Sequence, residues 1–217
     1  EIIEQHEAKR LLEAALGEGP AHAYLFHGPP GVGKRKAALA FAARLLGDRA
    51  RVERGAHPDL YVIEPYGDQI RIDEIRALRR DLHLRPFQAE RRVYLLVSAQ
   101  RLNREAADAL LKDLEEPPSY AVFVLLAEEI ASLPETIRSR CQLVPFRRLS
   151  TRAVREQVQA WAPHLSPQAQ ATIARVAAGR LDVARRLATD EEAASGRTTL
   201  LALARAVYSD PAFEPTE

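Results

Sequence analysis

The sequence predicts an α/β fold: a parallel, doubly wound sheet of about five strands flanked by helices, followed by a small all-helical unit. Three observations carry this. Short apolar runs alternate with segments of helical period through the first two thirds of the chain. A Gly-x-x-x-x-Gly-Lys string, Gly28 to Lys34, joins the first of those runs to an alanine-rich helix, the order that a phosphate-binding loop requires. From Ser150 onward only helical segments remain, which puts a domain boundary near residues 148–150.

The elements follow in order. Residues 2–16 carry Ile3, Leu11, Leu12 and Leu16 at amphipathic spacing, and Gly17, Gly19 and Pro20 close that helix. Residues 23–27 form a short strand leading into the loop, and residues 36–46 (KAALAFAARLL) form the helix leading out. Residues 47–55 read as a polar connection. A strand at 60–63 stops at Pro65. Ile72, Ile75, Leu78 and Leu82 then repeat at helical spacing up to Pro86. The run at 93–97 is apolar throughout, as expected of a strand buried on both faces. Asn103 caps a helix running to Leu114, which Pro117 and Pro118 terminate. Residues 121–126 form a further buried strand. Residues 143–146 form the last one, placed at an edge by Pro145. The helical remainder is predicted at 151–161, at 167–177 with Ser166 as cap, at 180–188 and at 196–208.

Composition excludes several classes of function. The chain has 217 residues and a formal charge of +1, so any nucleic-acid contact must come from a local basic patch rather than from bulk charge. No apolar run is long enough to span a bilayer, so no membrane association is expected. The single cysteine, Cys141, allows no internal disulfide and no zinc site built on several thiolates; no metal is expected. With no signal-like start, a cytoplasmic location is expected. The chain opens on Glu1 and has no methionine, so a short upstream piece is expected to be missing.

The loop holds the chemistry. In the full pattern, backbone N–H groups cradle phosphate, the lysine reaches the outer phosphates, and a Ser or Thr hydroxyl ligates magnesium. Here Gly28, Gly31, Gly33 and Lys34 are present, but Arg35 stands in the place of the hydroxyl. A guanidinium has no lone pair to give a cation and repels it. The loop is therefore expected to be a degenerate phosphate site, with nucleotide binding weak or absent and no cofactor required.

Further segments carry a family resemblance. His57-Pro58-Asp59, the stretch Ala109-Leu110-Leu111-Lys112-Asp113-Leu114-Glu115-Glu116-Pro117-Pro118, and Leu133 to Cys141 with its Ser139-Arg140-Cys141 ending resemble the bacterial clamp-loader subunits of the DNA polymerase III holoenzyme, which are AAA+ proteins. The resemblance implies an AAA+ phosphate-loop domain at 1–148, a helical lid domain at 149–208, and at 209–217 a linker toward a collar domain for which the chain leaves no room. A four-cysteine zinc module common in the family is absent from residues 47–55.

Two kinds of subunit share these motifs, the ATP-hydrolysing gamma/tau and the non-hydrolysing delta-prime. Hydrolysis needs an acidic pair after the third strand to hold the metal and polarise water. Ser98 and Ala99 follow that strand instead. The sensor threonine aligns with Ala127 or Glu128, and the lid arginine has no convincing counterpart near Gly179 to Asp182. The chain is thus similar to delta-prime.

That resemblance implies a role without hydrolysis. Arg140 would reach the ATP of a neighbouring gamma/tau subunit in trans, with Ser139, Cys141, Glu115 and Glu116 at the interface. The implied partners are the gamma/tau and delta subunits, with the sliding clamp and primed DNA engaged through the complex. Arg101, Arg104 and Lys112 lie near one side of a helix and are candidates for the DNA backbone, although Glu105 and Asp108 dilute their charge. Cys141 reads as a small buried hydrophobe and His57 as a turn cap. Two other readings stay open: an active gamma/tau-like ATPase with unusual metal ligation, and a purely structural scaffold subunit.

Overall fold

The computed structural model describes residues 3–190. The chain divides into two compact units, Glu1–Arg148 and Leu149–Glu217. The helix expected at 196–208 and the segment 209–217 lie outside the described residues.

The first unit begins with helix α1 (His6–Glu18), strand β1 (Ala23–His27), helix α2 (Lys34–Leu46) and a short helix α3 (Arg49–Glu53). It continues through β2 (Leu60–Ile63), α4 (Ile72–Leu82), β3 (Arg92–Leu96), α5 (Arg104–Glu115), β4 (Ala121–Ala127), α6 (Glu135–Arg138) and β5 (Gln142–Pro145). The strands form one parallel sheet in the order β2-β3-β4-β1-β5. Among the described residues β5 pairs only with β1, so Pro145 sits on an edge strand. All seven residues of β4 and all five of β3 are buried, which explains why those segments are apolar on both faces rather than alternating.

Two expectations need correction. Residues 47–55 are not a plain connection: Asp48 caps α3 by accepting from the Arg51 N–H at 3.0 Å, and Val52 is buried. The third strand starts at Arg92, one residue before the apolar run. Arg92 is 3% exposed because Asp81 of α4 accepts from its Nη2 at 2.6 Å, and Tyr94 donates its hydroxyl to the same carboxylate at 3.1 Å. A charged residue enters a buried strand only with such a partner.

Asp59, the last residue of the His-Pro-Asp segment, is fully buried. Its carboxylate accepts from the backbone N–H groups of Phe87, Gln88 and Ala89 at 2.6, 2.8 and 2.9 Å. This fixes the loop between α4 and β3. Desolvation alone would raise its pKa; the three N–H donors and the Arg92 charge outweigh it, so the carboxyl sits below the usual range. His57 Nδ1 accepts from the Asp59 N–H at 3.1 Å, closing the turn.

The second unit holds α7 (Thr151–Trp161), α8 (Pro167–Val176) and α9 (Leu181–Thr189). Ser150 and Ser166 cap the first two by accepting from the N–H groups of Ala153 and Ala169. Buried alanines at 153, 162, 174, 177, 184 and 188 let the three helices approach closely around Val154, Val158 and Ile173.

Candidate functional site: a glycine-rich loop and an arginine before the last strand

β1 lies inside the sheet between β4 and β5, so the segment leaving its carboxyl end emerges where ligands bind in open α/β sheets. That segment is the 28–33 loop. Gly28 has φ 140°, and a Cβ there would lie 2.1 Å from the Phe146 carbonyl oxygen. Only glycine fits this approach, which is sealed by the Phe146 N–H donating to the His27 carbonyl at 2.7 Å. Gly33, also at positive φ, precedes the first turn of α2 and offers it no side-chain cap. The orphan N–H groups of that turn would favour an anion.

The side chains at this helix start are unusual. Lys34 and Arg35 occupy the first two positions and the first turn has no acidic residue, although a helix N-terminus disfavours cations. Both cations are engaged within the chain. Lys34 Nζ donates to the Gly28 and Pro29 carbonyls at 2.5 and 2.7 Å. Arg35 Nη2 lies 2.5 Å from a carboxylate oxygen of Glu64, the residue that follows β2. Burial, and next the Lys34 ammonium, hold the His27 imidazole below its ordinary pKa, with Glu7 opposing.

The metal fit fails at each position. Arg35 has no oxygen to offer. Beyond β3, Ser98 takes a left-handed conformation and Ala99 is buried at the start of a 3₁₀ turn, so neither supplies a carboxylate. Ala127 is buried in β4, and Glu128 contributes its backbone carbonyl to the Gly28 N–H at 3.2 Å. No group of three or more His, Cys, Asp or Glu among the described residues is placed to hold a metal ion.

Ser139, Arg140 and Cys141 lead from α6 into β5. Ile137 is fully buried and Cys141 nearly so, both in the main core cluster, and between them the Arg140 side chain is 33% exposed. Its Nη1 donates to the Thr136 carbonyl at 2.8 Å and its Nη2 to Glu115 Oε1 at 2.5 Å. The structure therefore joins two residues that the sequence offers separately. Ser139 donates its hydroxyl to the Thr136 carbonyl at 3.2 Å and is exposed, as is Glu116 at the α5 C-cap. Cys141 packs in the core cluster, as its reading as a small buried hydrophobe expects, and burial pushes the thiol pKa up to about 12.

Two of the three candidate DNA contacts share α5. Arg104 and Lys112 are exposed on α5, eight residues apart and so on one face. Arg101 sits before the helix and lies 3.4 Å from Asp68. Glu64 as the partner of Arg35 and Asp59 as the anchor of a distant loop were not legible from spacing. Each is a carboxylate acting across the sheet on a segment remote in sequence.

Residues 4–150 match the family model described as DNA polymerase III, delta subunit. The chain is 34% identical over 160 residues to DNA polymerase III subunit delta' of Bacillus subtilis (strain 168), covering 67% of this chain and 49% of that protein. It is also 34% identical over 166 residues to subunit tau of the same organism, covering 70% of this chain and 29% of that one. The chain thus spans about half or less of the length of the curated relatives it matches. Among solved structures, a gamma subunit-related protein of Thermotoga maritima superposes with a TM-score of 0.63 at 24% identity, over 90% of this chain and 62% of that one, which speaks to the fold. With the parallel α/β sheet, the glycine-rich loop and the 4–150 match in place, the chain belongs to the DNA polymerase III delta-subunit family, among the clamp-loader proteins related to delta' and gamma/tau.

Proposed function

We propose that this chain is the non-hydrolysing, delta-prime-type subunit of a bacterial clamp loader and supplies Arg140 to the ATP site of a neighbouring gamma/tau subunit. Overall identity does not separate the two kinds of subunit, since the delta' and tau relatives of one organism both stand at 34%. Site chemistry favours the delta-prime type. The observation that carries the reading is the Arg35–Glu64 ion pair, which puts a carboxylate-paired guanidinium where a metal-binding hydroxyl belongs. With no carboxylate at Ser98 or Ala99 to activate water, the pocket lacks both halves of a hydrolytic site.

On this reading the chain holds nucleotide weakly or not at all and needs no cofactor. Its contribution is made on its neighbour. A guanidinium is always charged and forks onto two phosphoryl oxygens as charge develops there, which in trans is worth on the order of a thousandfold or more in rate. Partners are the gamma/tau and delta subunits, and through them the sliding clamp and primed DNA, in the cytoplasm. Arg104 and Lys112 on α5 are the cations best placed for a salt-dependent contact with the DNA backbone.

The test is reconstitution. Arg140→Ala in the assembled loader should cut DNA-stimulated ATP hydrolysis and clamp loading while the assembly still forms. Unchanged turnover would remove the finger role and leave a scaffold. ATP hydrolysis by the purified chain, abolished by Lys34→Ala, would instead establish an active ATPase.

A further inference from the structure

We propose that Glu115 is a positioning residue for Arg140, holding the guanidinium in the orientation in which it meets the neighbour's triphosphate. This rests on the arginine-finger reading above.

The placement of Glu115 is otherwise unfavourable. It is the last residue of α5, with Glu116 at the C-cap, so two carboxylates stand at the negative end of a helix that favours cations there. Arg140 supplies that cation from another element. The ion pair does little for stability, because side-chain exposures of 33% and 47% leave it screened by water. Its consequence is geometric. A free arginine side chain spreads over many rotamers, and a phosphate contact would have to overcome that conformational entropy.

Here the backbone is pinned by buried Ile137 and by Cys141, and the guanidinium by Thr136 and Glu115. Of its five N–H groups, Nη1 serves the Thr136 carbonyl and, at 3.5 Å, the Ser139 hydroxyl, while Nη2 serves Glu115 with one hydrogen. The Nε–H and the second Nη2 hydrogen have no acceptor among the described residues and are left for an incoming oxygen. Glu115 thus keeps the arginine fixed without consuming it.

The experiment compares Arg140→Ala, Glu115→Gln, Glu115→Asp and the double variant Arg140→Ala/Glu115→Gln in the loader reconstituted with its ATP-hydrolysing and clamp-opening subunits. Steady-state ATPase and thermal melting of the isolated chain are read for each. Glu115→Gln is expected to lower kcat by about tenfold with KM changed less than about twofold, because a misplaced catalytic group costs rate rather than affinity. Glu115→Asp should recover part of that loss, and the double variant should match Arg140→Ala alone. Melting should be unchanged for both single Glu115 variants. If Arg140→Ala leaves kcat unchanged, the finger reading fails and takes this proposal with it. If Arg140→Ala is severe while Glu115→Gln is silent, acts on KM only, or adds fully to Arg140→Ala, then the finger stands and Glu115 has no positioning role.

Discussion

Arg35 at the start of α2 and Glu64 beyond the end of β2 form an ion pair of 2.5 Å across the carboxyl edge of the sheet. The pair answers a local electrostatic problem, since three successive cations, Lys34, Arg35 and Lys36, open a helix whose first turn has no carboxylate. Replacing Arg35 by Thr restores the metal-ligating hydroxyl but not the acid that activates water. The variant is expected to gain magnesium-dependent nucleotide affinity and still show no turnover, by titration calorimetry with and without magnesium and by phosphate release. Hydrolysis by this single variant would show that a carboxylate other than one at 98 or 99 serves the site.

Asp59 tests the scaffold behind the site. Asp59→Ala removes the acceptor of three backbone N–H groups, and charge-assisted bonds of this kind contribute about 1.5–3 kcal/mol each before relaxation. A loss of roughly 2–4 kcal/mol in denaturant unfolding is expected, with Asp59→Asn losing less. The pH dependence has a definite sign. Because the folded-state pKa is lowered, the stabilisation is fully present above the unfolded value of about 3.9 and disappears as pH falls from there through the folded value. In Asp59→Ala that part of the acid sensitivity should be gone.

How much of this was legible depended on the range of the interaction. The loop, the helix caps at Asn103 and Ser166, and the edge position of β5 are local matters of glycine, cap chemistry and proline, and the structure bears out each. The residue pairs that decide the site are not local. Glu64 lies 29 residues from Arg35 and Glu115 lies 25 from Arg140, so their meeting follows from strand order, which a single sequence does not state. Arg92 shows the same limit, since a buried charge looks like a strand boundary until its partner Asp81 is placed.

Gly28→Ala should be among the most damaging single-methyl additions in the first unit. The new Cβ would overlap the Phe146 carbonyl oxygen, a backbone atom held by the His27–Phe146 hydrogen bond, and φ of 140° strains any L-residue. Steric and conformational costs together are expected to exceed about 2 kcal/mol. Gly33→Ala meets no atom within 4 Å and bears only the cost of its φ of 98°. Parallel melts of the two variants check this order, and equal melting temperatures would mean that the loop shifts away from β5 without cost.

Cys141 reports whether the segment carrying Arg140 opens by itself. A thiol reacts as thiolate, and a pKa of about 12 leaves roughly one part in ten thousand ionised at pH 8, against about a quarter for an ordinary cysteine near 8.5. Burial in the core cluster removes access as well. Alkylation of the native chain is therefore expected to be slower by at least about a hundredfold than in denaturant, and its rate should follow global unfolding. Cys141→Ser should cost roughly 1–2 kcal/mol, because the hydroxyl enters an apolar site, and Cys141→Ala should cost less. The stabilisation from the neutral thiol is complete below about pH 8.5 and is lost as pH rises toward 12. Fast labelling in the native state would mean that the Ser139-to-Cys141 segment detaches locally from the core, and an arginine on a detached segment has no fixed place from which to meet a phosphate.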